Sequence, residues 1–156
     1  MEAMEAIDKL KQIAAKAPAL LSAISPDEAA KHPVPGKWSK KQELGHLVDS
    51  ACNNHQRIVR AQLEKEPSLP GYDGDRWVTL HNYRAMEWNE IIECWRTVSQ
   101  QLIRAASAIS PQAGERKLTV GGGDPITLGV PIERLRGSSA ASLTAYWDRS
   151  WLAMLI

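Results

Sequence analysis

Four histidines and two cysteines are the side chains of this chain best suited to holding a metal ion or moving a proton. In "GHLVD", His46 and Asp49 stand three apart, a spacing that puts an imidazole and a carboxylate on one side of a helix. Asp49 is thus placed either to support the ring as a hydrogen-bond acceptor or to stay solvated. On a helical wheel His46 falls nearly opposite the Leu44, Ala51 and Ile58 face, so periodicity makes it an exposed or groove histidine. His55 lies within the apolar stripe and reads as a hydrogen-bonded core histidine. His32 and His81 stand in or beside loops, and nothing in their surroundings recommends them. Cys52 and Cys94 each fall inside a helical pattern without CxxC or metal-type spacing, which predicts buried, reduced thiols of a cytosolic protein. Gly121, Gly122 and Gly123 are not a phosphate loop, because no Lys-Ser/Thr follows them and no long strand precedes them.

The elements that position these residues are mostly amphipathic helices. Ile7, Leu10, Ala14, Ala17, Leu21 and Ile24 recur at steps of three and four, predicting a helix over about 2–24 that Pro18 should kink or split. A Pro-rich connector follows, in which Ser25-Pro26 is fit to open one short helical turn. Ser39 with Gln42 three residues on predicts the start of a second helix, whose apolar pattern lasts to about residue 66. The third spans about 83–109, with Trp88, Ile91, Ile92, Trp95, Leu102 and Ala106 on its stripe. Between 111 and 131 the strand-like pieces 118–120 and 126–128 are too short to build a sheet on.

A chain of 156 residues with 44% hydrophobic and 24% charged residues has the size and composition of one soluble domain. A net charge of +1 gives no reason to expect a nucleic-acid or membrane partner, and no run approaches the ~20 apolar residues of a membrane span. The charged amphipathic start "MEAMEAIDKLKQ" is unlike a secretory signal, which makes the expected location cytoplasmic. Three long helices, with room for a fourth, predict an all-α antiparallel four-helix bundle occupying residues 1–156 as one domain.

The block "PGKWSKKQELGHLVDSACNNHQRIVRAQ" resembles the DinB/YfiT-like superfamily of bacterial four-helix-bundle proteins. It carries that family's Trp-Ser start, Trp38-Ser39, and its His-Leu-x-Asp motif, His46-Leu47-Val48-Asp49. The likeness runs on through Asn54 to Arg57 and Tyr72 to the helix of Trp88 and Trp95, covering roughly residues 30–130. The resemblance implies a divalent metal, zinc or nickel, held at one end of the bundle by three histidines. One comes from the second helix, where His46 matches it, and two come from an HxxxH on the last helix. Such a site leaves open positions for water or a thiolate. The resemblance further implies a thiol-dependent transferase or a hydrolase, acting on a small molecule or with a low-molecular-weight thiol.

The closing segment departs from that pattern. The family's last helix reads like DYVxHLxHHLxxI, and here the two ligand positions fall on Ser138 and Ser142, which cannot replace neutral imidazoles. Reading the degenerate codons of "RLRGSSAASLTAY" one base later gives triplets compatible with D-Y-V-G-H-L-Q-H-H-L-R-H-I, the missing motif in register. A single-base shift near codon 133 or 134 therefore accounts for an atypical 134–156 after a family-like 1–133. Two rivals stay open: true divergence of the lineage, or a last helix formed by "AASLTAYWDRSWLAMLI" with Trp147 and Trp151 at i, i+4. The resulting expectation is a DinB-like protein with a degenerate metal site that binds its ion weakly or not at all. The alternative is a non-catalytic helical bundle, a binding or stress-associated protein, paired through helix faces as a homodimer.

Overall fold

Ser39 shows how directly local chemistry sets the frame. Its hydroxyl accepts from the Gln42 backbone N–H while the Gln42 side chain accepts from the Ser39 backbone N–H, a reciprocal capping box that starts a 24-residue helix. The computed structural model describes residues 2–128. Its helices are α1 (Glu2–Ser22), α2 (Pro26–Ala30), α3 (Lys40–Leu63), α4 (Gly74–His81), α5 (Trp88–Ser107) and α6 (Pro111–Gly114), with a 3-10 turn at Tyr83–Ala85. The strands are β1 (Ser68–Leu69), β2 (Lys117–Val120) and β3 (Ile126–Thr127).

Among the described residues the fold is all-α in its framework: α5 packs along both α3 and α1. Apolar residues at helical spacing on α5 face both partners, and Trp88, Ile91, Ile92, Trp95, Leu102 and Ala106 are all buried. The core has two clusters. One, around Leu21, Leu44, Val48, Tyr83 and Trp88, lies under α4 and the 3-10 turn. The other, around Leu10, Ile58, Leu102, Leu118 and Leu128, lies under the strands. Trp88 joins α5 to α1, because its indole N–H donates to the Leu21 carbonyl at 3.0 Å. That bond satisfies a donor that burial would otherwise orphan.

Four local expectations are corrected. Of the kink or split expected at Pro18, the split does not occur, and α1 runs continuously to Ser22. The missing Pro18 N–H costs one helical bond, and Ala17 and Leu21 on the same stretch are fully buried and outweigh it. The third long helix begins at Trp88, and α4 with the 3-10 turn occupies the preceding stretch. An eight-residue helix carries too few turns to register as a periodic stripe, although Asp73 caps it by accepting from the Arg76 N–H. The short pieces near 118 and 126 do form a sheet, of order β1-β2-β3. β1 pairs parallel to β2, with Ser68 opposite Thr119, and β2 pairs antiparallel to β3, with Leu118 opposite Ile126. Burial of Leu118 and Leu128 against the helices supplies what three short strands lack by themselves. Gly121 and Gly122 turn this hairpin at φ 63° and 73°. Lastly, Cys52 and Cys94 are exposed free thiols, because both fall between the buried stripes of α3 and α5. The atypical last helix and residues 134–156 lie outside the described residues.

Candidate functional site

Position 46 is the second turn of α3, and the ring it carries meets three loops and helices at once. Trp38 lies 5.2 Å from the His46 ring and Tyr72 lies 6.4 Å away, centroid to centroid. Gly74, the first residue of α4, closes the third side: a Cβ there would fall 2.9 Å from His46 Cε1 and 3.1 Å from Nδ1. A side chain there would press on the His46 ring and force it to shift. His46 is therefore half-buried in a groove, one of the two positions its place on the wheel allows. Its Nδ1 is fully buried and has no hydrogen-bond partner among the described residues. Burial pulls the ring's pKa down, and the charges of Asp49 and Asp75 oppose that shift.

Asp49 does something other than support His46. Its carboxylate is buried, and one oxygen, Oδ1, accepts from the Tyr83 hydroxyl at 2.7 Å and lies 2.9 Å from His81 Nδ1. The second oxygen, Oδ2, is buried with no partner. Burial raises the Asp49 pKa, while the hydrogen bond from Tyr83 and the nearness of His81 hold it down. The Tyr83 phenol is pushed up by burial and by the carboxylate it serves. Two backbone features make this triangle. Gly45 lets the Tyr83 ring lie directly on α3, for a Cβ there would fall 2.1 Å from Tyr83 Cδ2. Asn82, at φ 50° and ψ 48°, is a left-handed residue between His81 and Tyr83 that breaks α4 and brings both rings to Asp49.

The rings form a continuous path along this end of the bundle. After Trp38, His46 and Tyr72 come Trp77 at 5.1 Å from Tyr72, His81 at 5.8 Å from Trp77, and Tyr83 at 5.4 Å from His81. His81, which nothing in the sequence recommends, is thus at the site. Its signal was the Asp73-Gly74 helix start, which makes His81 the last residue of α4, directly before Asn82. His55 is not the core histidine its stripe suggests but half-buried on α3, and His32 bonds the Lys37 carbonyl away from the cluster at 2.7 Å.

The fold and this groove invite comparison with known proteins. The sequence profile of the DinB superfamily matches residues 9–135. This chain belongs to the DinB superfamily. Among curated relatives, it is 30% identical over 57 residues to a protein of Oceanobacillus iheyensis named "putative metal-dependent hydrolase". That match covers 36% of this chain and 33% of the relative. A Bacillus mycoides protein of the same name is 36% identical over 45 residues, which cover 29% of this chain and 26% of that protein. The chain thus spans about a third or less of the length of the curated relatives it matches. Among solved structures, it superposes on YfiT from Bacillus subtilis with a TM-score of 0.72 and 18% identity, covering 86% of this chain and 79% of that one. YfiT is described as a probable metal-dependent hydrolase with an unusual four-helix bundle topology. At that identity the likeness establishes the four-helix-bundle fold of the DinB superfamily and nothing finer.

Relatives in the family carry names that make them metal-dependent, so the donors around His46 need a fit test. Among the described residues no group of three His, Cys, Asp or Glu side chains is placed to share an ion. Residues 129–156 hold no histidine and no cysteine, only the carboxylates Glu133 and Asp148. The acceptor that ordinarily steers a ligating imidazole is missing too, because Asp49 is committed to Tyr83 and His81 and leaves His46 Nδ1 unpaired. The donor set does not fit a three-imidazole metal centre. Among the described residues no helix is long and apolar enough to cross a membrane.

Proposed function

We propose that this chain is a DinB-superfamily protein in which the family's metal position is degenerate: His46 remains, its two partners are gone, and metal-dependent turnover is lost with them. The observation that carries this reading is the donor count. All four histidines of the chain lie at or before residue 81, and of these only His46 occupies the groove at the position where the family resemblance puts a ligand. Glu133 and Asp148 are the only other ionisable donors the closing segment offers. One half-buried imidazole with a depressed pKa is a neutral, basic nitrogen, suitable as a ligand but unable to hold a catalytic zinc or nickel ion without a chelating set.

The test is metal content and its restoration. Protein purified without a metal-affinity tag and measured by inductively coupled plasma mass spectrometry should carry far less than one zinc or nickel per chain. The double variant Ser138→His/Ser142→His should gain zinc binding by calorimetry, and His46→Ala in that background should remove it. A near-stoichiometric ion surviving dialysis in the unaltered chain refutes the reading. Sequencing the locus across codons 128–150 separates a base shift from lineage divergence as the origin of the loss.

A further inference from the structure

We propose that His81 is a general base, oriented by Asp49 and Tyr83, which activates water against small aryl esters without a metal ion. This goes beyond the degenerate metal position and does not rest on it, because none of the three groups is His46. The geometry has three parts. His81 Nδ1 lies 2.9 Å from Asp49 Oδ1 and 3.4 Å from the Tyr83 hydroxyl, and because a carboxylate carries no proton to share, we place the ring hydrogen on Nδ1. In the neutral ring Nε2 is then the bare, basic nitrogen. The two members of the pair are unequally placed: the Asp49 side chain is 2% exposed and the His81 side chain 44% exposed. A buried anion thus backs an imidazole whose far side meets solvent, the arrangement that fixes a tautomer and holds the ring in place.

Tyr83 completes the orientation. Its hydroxyl donates to the same Oδ1 at 2.7 Å, which fixes the carboxylate and keeps it from turning toward other donors. Among the described residues Asp49 Oδ2 has no hydrogen-bond partner, so both contacts of the carboxylate are made through Oδ1. Trp77 stands edge-on to His81 at 5.8 Å, and Tyr72 follows at 5.1 Å. These half-buried rings give an aryl group an apolar, stacking surface beside the base. The Arg57 guanidinium lies 6.0 Å from the Tyr72 ring.

The step balances without a further reactant. A water O–H bond breaks, its proton passes to His81 Nε2, and the oxygen bonds to the ester carbonyl carbon while the carbonyl electron pair moves onto oxygen. Collapse of that intermediate breaks the bond to the aryloxide, which takes the proton back from the imidazolium. Water and ester become a carboxylic acid and a phenol. Asp49 and Tyr83 are positioning residues and touch no reacting atom.

The experiment uses the full chain with Cys52→Ser and Cys94→Ser, so that exposed thiols do not attack the probe, treated with EDTA and assayed on p-nitrophenyl acetate. We expect hydrolysis above buffer that His81→Ala lowers by about 100-fold in kcat/KM, the lower range for general-base catalysis. Added imidazole should restore part of it, and His55→Ala should leave it unchanged. Asp49→Asn should lower kcat with little change in KM. If that variant does not fold, nitrogen-15 NMR of the unaltered chain decides, with neutral His81 expected as the Nδ1–H tautomer. The proposal is overturned by no hydrolysis above buffer, by a His81→Ala rate equal to the parent's, by loss without imidazole rescue, or by an Nε2–H tautomer.

Discussion

Gly45→Ala separates two opposing effects at one atom. By helix propensity alone Ala in the middle of α3 is favoured over Gly by about 1 kcal/mol. Against it stands the Tyr83 ring, with Cδ2, Cγ and Cε2 at 2.1, 2.2 and 2.6 Å from where the new Cβ must go. No rotation of a methyl group relieves that, so the ring has to leave its seat in a buried cluster, at an overpacking cost of about 1–3 kcal/mol. Displacing the ring also removes the hydroxyl from Asp49, and a hydrogen bond to a buried charged group is worth about 1.5–3 kcal/mol. The net expectation is a loss of about 2–5 kcal/mol. In urea this moves the unfolding midpoint down by roughly 1–2 M at an unchanged slope. The sign should reverse in a Tyr83→Ala background, where only the propensity gain of about 1 kcal/mol remains. A neutral or stabilising Gly45→Ala with Tyr83 present, or an equal loss with Tyr83 removed, refutes the reasoning.

Three further outcomes follow from the same structure. Ser39→Ala removes the acceptor of the capping box and should cost about 1 kcal/mol, read as a lowered urea midpoint, while Ser39→Gly should cost only a few tenths. Trp88→Phe keeps most of the apolar volume but removes the indole donor from the Leu21 carbonyl, which keeps its bond from the Ile24 N–H, so a loss of about 0.5–1.5 kcal/mol for that hydrogen bond is expected by thermal or urea unfolding. Glu43, buried at the start of α3, has its carboxyl pushed up to about 8 by desolvation, against the opposing charge of Lys40. The folded state then holds a proton that the unfolded chain releases above its usual carboxyl range, so this contribution is complete below about pH 4.5 and is lost as pH rises through about 8. Glu43→Gln should flatten the fall of melting temperature between pH 5 and 8, and an unchanged slope sinks the assignment.

The sequence by itself determined the helical frame. Repeats at three and four residues on α1, α3 and α5 name the buried faces, and the pairing of Ser39 with Gln42 sets the start of α3 to the residue, because capping and amphipathicity are local properties. It took His46 off the apolar stripe but left open solvent or a groove, and the packing of Trp38, Tyr72 and Gly74 decided for the groove. It did not place His81 or Tyr83. Those residues reach Asp49 only through a left-handed turn at Asn82 and through the absence of a side chain at Gly45, and both depend on contacts from elements 32 or more residues apart in the chain. The same limit applies to the strands. Two or four residues have no periodicity to read, and only burial of Leu118 and Leu128 against the helices makes them a sheet. Local order is written in neighbours along the chain. The partner of a buried carboxylate is chosen by whatever the packing of distant segments brings within reach.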